Sequence, residues 1–520
     1  MKQKRDRYEM HKYWGKKPSN DLKKLIEKFS NKGDTVLDPF AGYGVFCCEA
    51  LILNRNVISN DLNPIANFIN KQLLNKNIDI DLVKTQWKTI KSEFEPFNNE
   101  WFQWEYSGKN IELISVLRNK DDIPLKAKFK EKGNSKYVEI PLDKEFVNEY
   151  IEKENSYKIE DWYADEELIP NSRISAKIGM KVSDLFTKRT LACHAKLLSL
   201  IEKHSSGNEL DLLKIAFTSN LANCSRLVPP IKSRGEMSQG AWMTGFYTGE
   251  TYIENNVLHY FENRLNKSIK GKLDYLQLFN NRGLLDINEI EYDNWYKILQ
   301  NDVKQLEIED ESIDYIFTDP PYGDAVPYFE QSIIWNSWLK FKPNYKQEIV
   351  ITNSKVRKKN TSIFEKDIDV AFSEIRRVLK TGKFFSLTYH SLSGIEWKAV
   401  TNACIKNGFN MYSFEWLVQK SFTPRQINRL KSVKGDVLVT LTKADLPKNI
   451  VQRSDEDIKQ LFISKIAEWL MHNPLDTNTI FLKIMKMIFS EKILIGNIDL
   501  LKVLTENFNF ADTQEWRIYE

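Results

Sequence analysis

Apolar residues in the first 75 positions follow two spacings in turn. Positions three or four residues apart, typical of one face of a helix, are Leu22, Leu25, Ile26 and Phe29. Two short apolar runs, TVLD (35–38) and NVISND (56–61), are typical of buried strands, and helical patterns follow each of them, in FCCEALIL and from Asn63–Pro64 onward. Strands that alternate with helices predict a parallel sheet.

This alternation stops after residue 75 and resumes near residue 296. The intervening residues are rich in aromatic and charged side chains, with helical patterns in LFTKRTLACHAKLLSLIE and ELDLLKIAFTSNLA. The strand and helix patterns then return in YKILQND, IDYIFTD, DIDVAFSEIRRVLK, KFFSLTYH, IEWKAVTNACIKNG and a pair of strands ending in DVLVTLTK. We therefore predict a doubly wound α/β sheet in two halves (1–75 and 296–445), a mixed, partly helical insertion (76–295) and a helical C-terminal extension (446–520).

The composition is that of a soluble globular protein with more than one domain. Of the 520 residues, 42% are hydrophobic and 28% are charged, and no apolar run is long enough to cross a bilayer. The first residues lack the apolar core of a secretory signal, so we expect a cytoplasmic location. The cysteines form no Cys-x-x-Cys pair and the histidines show no metal-ligand spacing, so neither a disulfide framework nor a metal site is predicted.

The formal charge of +4 does not by itself indicate a nucleic-acid partner. Two basic runs stand out, QKSFTPRQINRLKSVK (419–434) and SKVRKKN (354–360). Such runs are usually solvated surface, so a role in phosphate binding requires a separate indication.

A glycine-bearing turn, DPFAGYG (38–44), connects the first predicted strand to the next helix. Gly42 and Gly44 permit a tight turn and a close approach of a ligand, and the helix that follows presents unpaired N–H groups. Asp61, at the end of the second strand, is placed to accept the hydroxyls of a ribose. The turn lacks the Gly-x-Gly-x-x-Gly spacing of dinucleotide sites, and an ordinary turn beside a strand-end acid is the alternative.

The sequence DPPY (319–322) follows a predicted strand directly. Proline has no N–H and fixes its φ angle, so Pro320 and Pro321 end the strand pairing and stiffen the backbone. This stiffening holds the Asp319 carboxylate, a carbonyl and the Tyr322 ring at the tip of a strand. A rigid strand exit without catalysis is the alternative interpretation of this segment.

The combination of DPFAGYG, a strand-end acid and DPPY resembles the S-adenosylmethionine-dependent DNA amino-methyltransferases, which act on adenine N6 or cytosine N4. HKYWGKKPSN (11–20) is similar to the segment that precedes the glycine turn in that family. The resemblance implies a Rossmann-like sheet and S-adenosylmethionine as cofactor. It also implies roles for Asp302 at the adenine amine, Asp38 at the methionine amino group and Lys17 at the methionine carboxylate. The full set of implied cofactor-binding residues is Lys17, Asp38, Pro39, Phe40, Ala41, Gly42, Gly44, Asp61 and Asp302.

The same resemblance gives DPPY a catalytic role, with Asp319, Pro320, Pro321 and Tyr322 as the implied residues. An exocyclic base amine is a poor nucleophile because its lone pair is delocalised into the ring. Asp319 and the Pro320 carbonyl can each accept one N–H of that amine and free the lone pair, while Pro321 holds the carbonyl in place. Tyr322 offers a ring on which a flipped base can stack, so Tyr322→Phe is expected to keep much of the activity.

Target recognition is assigned to basic residues interleaved with aromatic ones. Within SRLVPPIKSRGEMSQGAWMTGFYTGETYIE (225–254), the candidates for nucleic-acid contact are Arg226, Lys232, Arg234 and Trp242. The 419–434 run adds Arg425, Arg429 and Lys431. An ordinary packed loop is an equal interpretation of residues 225–254, and the insertion is therefore only a candidate recognition region.

We expect DNA methylation of a flipped base, with adenine N6 favoured over cytosine N4, as in restriction–modification enzymes. An RNA guanine-N2 methyltransferase of the tRNA-modifying type is the enzymatic alternative, since that family also resembles this chain in DPFxGxG and DPPYG. Those proteins usually carry an N-terminal RNA-binding domain, and only about 30 residues precede the first strand here, which favours DNA. The non-enzymatic alternative is a nucleic-acid-binding scaffold with a degenerate methyltransferase fold. A restriction or defence-system partner is compatible with the resemblance, but no residue identifies one, and no membrane partner is expected.

Overall fold

The protein is described by a computed structural model that covers residues 5–106, 108–131, 136–280, 294–389, 395–417, 436–447, 449–450 and 452–519. Its strands are β1 (Thr35–Asp38), β2 (Asn56–Asn60), β3 (Gln103–Tyr106), β4 (Lys109–Asn119), β5 (Pro124–Glu131), β6 (Tyr137–Pro141), β7 (Thr251–Asn255), β8 (Tyr296–Leu299), β9 (Ile313–Thr318), β10 (Leu379–Tyr389), β11 (Phe409–Leu417), β12 (Asp436–Lys443), β13 (Asn509–Phe510) and β14 (Trp516–Arg517). Its α-helices are α1 (Ser19–Phe29), α2 (Val45–Ile52), α3 (Pro64–Leu74), α4 (Ile80–Phe102), α5 (Lys144–Ser156), α6 (Lys188–His204), α7 (Gly207–Leu221), α8 (Val257–Asn280), α9 (Tyr328–Asn336), α10 (Thr361–Val378), α11 (Ile395–Lys406), α12 (Asp455–His472), α13 (Thr477–Glu491) and α14 (Leu500–Asn507).

The main sheet has seven strands in the order β11-β12-β10-β9-β1-β2-β8. Neighbouring strands from β10 to β8 are parallel, whereas β12 lies antiparallel between β10 and β11. The two halves predicted from the sequence therefore combine into one sheet, with β1 and β2 from the first half inserted between β8 and β9 of the second. This arrangement confirms the prediction of a mixed α/β fold built on a parallel sheet.

Hydrophobic side chains cover both faces of this sheet. The four apolar residues predicted for one face of α1 are all buried, and they belong to a cluster that also includes much of the insertion. The cluster on the other face combines α10 and α11 with the C-terminal helices α12, α13 and α14. The predicted helical extension thus packs against the sheet domain, and it also contains the short hairpin of β13 and β14.

The insertion contains a second, antiparallel sheet. Strands β3, β4, β5 and β6 form its main path and β7 pairs with β4, so that Ser115 lies opposite Asn255. The helical segments predicted here correspond to α6 and α7, whereas the strands of this sheet were not predicted from the sequence. In the described part of the chain no helix is both long and apolar enough to cross a membrane.

Candidate functional site

Four aspartates lie at or just after the carboxyl ends of neighbouring parallel strands. Asp38 ends β1, Asp61 follows β2, Asp302 comes shortly after β8 and Asp319 follows β9. Because these four strands are neighbours in the order β9-β1-β2-β8, their carboxyl ends share one edge of the sheet. All four aspartates line a single cleft of about 940 Å³, a volume that includes the space open to solvent.

The predicted cofactor-binding residues all belong to the lining of this cleft. The lining includes Lys17, Asp38, Pro39, Phe40, Ala41, Gly42, Gly44, Asp61 and Asp302. The structure therefore brings the predicted set together around one cleft.

The glycine turn has two left-handed residues, Gly42 with φ of 51° and Gly44 with φ of 83°. A Cβ atom on Gly44 would lie 1.9 Å from the Oδ1 atom of Asn70. Asn70, on α3, donates from Nδ2 to the Gly42 carbonyl at 2.8 Å and so fixes the turn from behind. Gly44 is thus required by a side chain of the protein itself, whereas a Cβ on Gly42 would meet the Tyr13 ring at 3.3 Å.

Both oxygens of the Asp61 carboxylate accept backbone N–H groups. Oδ2 accepts from Gly42 at 2.9 Å and Oδ1 from Asn63 at 2.8 Å. Burial raises the pKa of Asp61 to about 6, and these two hydrogen bonds oppose the rise. The carboxylate remains partly exposed toward the cleft, and each oxygen retains a lone pair that can accept a hydroxyl.

Asp38 is buried, and its Oδ1 atom accepts the Phe40 N–H at 3.1 Å. Burial, with the nearby Asp319 and Asp61 carboxylates, raises the pKa of Asp38 well above its ordinary value. Among the described residues no lysine or arginine forms an ion pair with it. A buried carboxylate of this kind favours a cationic ligand, since an ammonium group would stabilise its charged form.

Asp302 orders the loop that follows β8. Its Oδ1 atom accepts the Lys304 N–H at 3.0 Å, and its Oδ2 atom lies 3.4 Å from Lys304 Nζ. The side chain is still partly exposed to the cleft, so its carboxylate can accept a further donor.

The Asp319 carboxylate is held almost entirely through one oxygen. Oδ1 accepts hydrogen bonds from the hydroxyls of Tyr322 and Thr388 and lies 3.0 Å from Lys17 Nζ. Oδ2 faces Gly15, where a Cβ atom would approach to 3.3 Å, and no donor among the described residues bonds to it. One oxygen is therefore fixed by the protein while the other can accept a hydrogen bond from a ligand in the cleft.

Lys17 connects Asp319 to a further aspartate that the sequence analysis did not single out. Its Nζ atom lies 3.0 Å from Asp436 Oδ2 and 2.9 Å from the Tyr322 hydroxyl. Burial opposes the charged form of this lysine, but the Asp319 and Asp436 carboxylates outweigh it and raise the pKa of Lys17 above its ordinary value. Contact of Lys17 with a cofactor carboxylate stays a prediction, because these two aspartates already pair with it.

The other members of DPPY occupy different environments. Pro321 lines the cleft beside Asp319, whereas Pro320 is buried and the Tyr322 hydroxyl is bonded to Asp319 and Lys17. The Tyr322 hydroxyl thus has two partners within the site, which the sequence analysis did not anticipate. Stacking of a base on the Tyr322 ring stays a prediction.

A buried arginine and two glutamates form a further group beside the cleft. Arg357 donates to Glu330 at 2.7 Å and lies 2.5 Å from a carboxylate oxygen of Glu348, which lines the cleft. Burial raises the pKa of Glu348 to about 8, and the Arg357 guanidinium opposes the rise. Two carboxylates thus share one cation, an arrangement for which the linear sequence offers no signal.

The residues predicted to contact nucleic acid have mixed outcomes. Lys232 and Arg234 are exposed, and Arg226 lies 2.5 Å from Asp122, so phosphate contact by these three stays a prediction. Trp242 is only 5% exposed and packs edge-on against Trp335, which contradicts its predicted role as an open stacking surface. Its apolar ring is instead part of the contact between the insertion and α9. The remaining candidates, Arg425, Arg429 and Lys431, lie outside the described residues.

Comparisons with known proteins point to methyltransferases. Residues 1–71 match the family model described as DNA methylase. A tRNA (guanine(37)-N(1))-methyltransferase of Candida albicans is 30% identical over 135 residues, which cover 25% of this chain and 29% of that protein. The type II methyltransferase M.MjaII of Methanocaldococcus jannaschii is 21% identical over 342 residues, covering 62% of this chain and 60% of that one. The chain thus spans less than two thirds of either relative.

The solved structure of a methyltransferase of Methanosarcina mazei, described as SAM-dependent, has 11% sequence identity to this protein. The match covers 33% of this chain and 78% of that one. The TM-score of 0.17 is too low to support an argument, so the relationship depends on the sequence comparisons and the motifs. Together, the DNA methylase model at the N-terminus and the type II methyltransferase confirm the resemblance to the S-adenosylmethionine-dependent DNA amino-methyltransferases, and S-adenosylmethionine is the cofactor.

Proposed function

We propose that this protein transfers the methyl group of S-adenosylmethionine to the exocyclic amine of a flipped DNA base, with adenine N6 as the favoured target. The observation that supports this most directly is the asymmetry of Asp319. Three donors hold Oδ1, while Oδ2 has no donor among the described residues and the side chain lines the cleft. A positioned acceptor of this kind is what an amine N–H requires.

The cleft is suited to the cofactor by the chemistry of its donors. Asp61 can accept the ribose hydroxyls, Asp302 the adenine amine, and the buried Asp38 carboxylate can pair with the ammonium of the methionine part. S-adenosylmethionine supplies an electrophilic methyl group on a sulfonium sulfur. No further activation by a metal or a covalent protein intermediate is needed for a direct displacement.

The role of this chain is to prepare the nucleophile. Asp319 Oδ2 and the Pro320 carbonyl would accept the two N–H groups of the base amine, which draws the nitrogen toward tetrahedral geometry and makes its lone pair available. As the nitrogen gains the methyl group it would lose one proton, which Asp319 Oδ2 would accept and pass to solvent. The Lys17 ammonium, 3.0 Å from Oδ1, helps to hold the carboxylate in place and leaves Oδ2 available to the amine.

The test is transfer from labelled S-adenosylmethionine to duplex DNA, single-stranded DNA and tRNA, followed by nucleoside analysis of the product. We expect N6-methyladenine in DNA; N4-methylcytosine in DNA is the alternative product. Asp319→Ala should abolish transfer and leave cofactor affinity close to wild type. Because Lys17 keeps Asp436 as a partner, this variant exposes no unpaired lysine, and the exposed Asp512→Ala is the matched control.

Three outcomes would contradict the proposal. A stable Asp319→Ala protein that still methylates DNA would remove Asp319 from the reaction. Methylated guanine in tRNA, with none in DNA, would support the RNA alternative, which the tRNA methyltransferase among the relatives favours. A protein that binds nucleic acid and S-adenosylmethionine but transfers no methyl group to duplex DNA, single-stranded DNA or tRNA would be the non-enzymatic scaffold.

A further inference from the structure

A short loop close to DPPY exposes an apolar side chain between two cations. This loop, residues 353–358, overlaps the basic run 354–360, which the proposed function does not use. Val356 is 79% exposed, and Lys355 and Lys358 on either side of it are exposed as well. Only Ile178 is more exposed among the large apolar side chains of the described residues.

The loop is rigidly attached to the protein. The Thr352 N–H donates to the Lys359 carbonyl at 2.9 Å, which closes the loop, and the Lys358 N–H donates to Ser354 at 3.1 Å. Arg357, next to Val356, has a side chain only 2% exposed, which donates to Glu330 at 2.7 Å and to the Tyr345 carbonyl at 2.7 Å. The buried Arg357 therefore holds Val356 in its outward position, and little conformational entropy remains to be lost on binding.

The loop begins beside the catalytic segment. The Ile351 N–H donates to the carbonyl of Gly323, the residue after DPPY, at 3.1 Å, and the Ile351 side chain also lies against Gly323. Five residues of extended chain span at most about 17 Å, so Val356 cannot lie farther than that from Ile351. On its other side the loop contacts the insertion, where Asn353 Oδ1 accepts the Ser172 N–H at 2.8 Å.

The charges on the loop suit a polyanion. Lys359 pairs with Asp367 at 3.1 Å, but neither Lys355 nor Lys358 has an acidic partner among the described residues. The two lysines thus flank Val356 in the sequence, and no acidic side chain among the described residues compensates their charges. Phosphates that flank a base step present the complementary pattern, anions on either side of an apolar stack.

We propose that this loop binds duplex DNA, with Val356 as a wedge beside the flipped base and Lys355 and Lys358 as contacts to the flanking phosphates. The proposal rests on the proposed function, because a wedge serves a protein that must remove a base from its stack. A duplex is the expected partner rather than a single strand, since an unstacked strand offers no base step for Val356 to enter. Val356 is a positioning residue in this scheme, because it acts on the stack and does not touch the reacting atoms.

Binding of a fluorescent DNA duplex, followed by anisotropy across a salt series, tests the phosphate contacts. The variant Lys355→Gln/Lys358→Gln should lower the slope of log K against log salt by about two, since each lost phosphate contact removes about 0.9. The matched control is Lys88→Gln/Lys486→Gln, which neutralises two exposed lysines elsewhere that have no acidic partner among the described residues. An unchanged slope in the loop variant, or an equal change in the control, would overturn the phosphate contacts.

Single-turnover methylation tests the wedge. Val356→Ala should slow methylation of a fully paired duplex about tenfold, whereas a duplex whose target base lies opposite an abasic site should be methylated at close to the wild-type rate, because that base is already unpaired. Met471→Ala, at a residue on α12 that is 70% exposed, is the apolar control. Equal rates of the variant and wild type on the paired duplex would overturn the wedge, as would an equal loss on both duplexes.

These outcomes are separable from failure of the proposed function. If the wild-type protein methylates no nucleic acid, the proposed function fails and the wedge fails with it, while the salt series still decides the phosphate contacts. If methylation proceeds and the loop variants behave as wild type, only the loop assignment fails. Tighter binding of RNA or of single-stranded DNA than of the duplex would also overturn it.

Discussion

Asp61→Asn is the substitution whose effect the structure defines best. In the native protein both carboxylate oxygens accept backbone N–H groups, Oδ2 from Gly42 and Oδ1 from Asn63. Asparagine keeps one acceptor oxygen but replaces the other by an N–H₂ donor, so one of the two backbone groups loses its partner. We expect a loss of about 1–3 kcal/mol in the free energy of unfolding, measured by denaturant titration.

The effect on cofactor binding should be of similar size to the effect on folding. If Asp61 accepts the ribose hydroxyls, the charge-assisted hydrogen bonds that Asn cannot reproduce amount to about 1.5–3 kcal/mol, which is roughly a 10- to 150-fold loss of affinity. Calorimetric titration with S-adenosylmethionine or S-adenosylhomocysteine measures this directly. The wild-type protein should also show a pH dependence of binding that the variant lacks.

The sign of that dependence follows from the raised pKa of Asp61. Burial raises this pKa to about 6, so the carboxyl gains a proton as pH falls through 6, and the protonated form is a weaker acceptor for the ribose. Affinity should be constant above pH 7 and about tenfold weaker at pH 5. Asp38, whose pKa burial also raises, is still present in the Asp61→Asn variant, so only the step due to Asp61 should vanish.

Unchanged affinity in a folded Asp61→Asn protein would remove Asp61 from the cofactor site. A pH profile of identical shape in the variant and wild type would assign the titration to another group and refute the reasoning on the Asp61 pKa.

Two further substitutions probe the group around Asp319. Lys17→Met leaves the buried Asp436 and the partly buried Asp319 without their cation and should lower the free energy of unfolding by about 3–5 kcal/mol. The double variant Lys17→Met/Asp436→Asn restores the net charge and should recover part of that loss. Equal stability of the two variants in denaturant titration would contradict this. The sequence alone predicted that Tyr322→Phe keeps much of the activity, but the structure gives the hydroxyl a role as one of three donors to Asp319 Oδ1. We therefore expect the single-turnover methylation rate of Tyr322→Phe to fall about fivefold, and an unchanged rate would show that only the ring matters.

The sequence predicted the location of a site residue correctly where that residue lies at the end of a recognisable strand. Asp38, Asp61, Asp302 and Asp319 each follow a predicted strand, and parallel strands place their carboxyl ends at one edge, so their common cleft follows from the pattern alone. The spacing of apolar residues does not show whether a strand runs parallel or antiparallel to its neighbours. Asp436 begins β12, and only because β12 runs antiparallel does its amino end lie beside the carboxyl ends of β9 and β10.

Other features depended on partners distant in the sequence. The need for glycine at position 44 arises from Asn70 on α3, and the sequence alone suggested a ligand instead. Trp242 appeared as a stacking surface because it lies among basic residues and glycines, but tertiary packing places it against Trp335. The sheet of the insertion pairs β4 with β7 across about 135 residues, a pairing that local periodicity cannot predict.

The N-terminal segment from Tyr13 to Lys17 contacts both parts of the proposed reaction site. The Tyr13 ring lies against Gly42 of the glycine turn, and Lys17 pairs with Asp319 of DPPY. Between them Gly15, with φ of 75°, has no Cβ atom to crowd Asp319 Oδ2, the oxygen assigned to the base amine. Because methyl transfer requires the electrophile and the amine in a fixed mutual orientation, a single short segment that contacts both the glycine turn and the acceptor carboxylate limits how far the two can move apart. These two contacts give a role to the basic, glycine-containing segment ahead of the first strand, which is not itself a strand of the sheet.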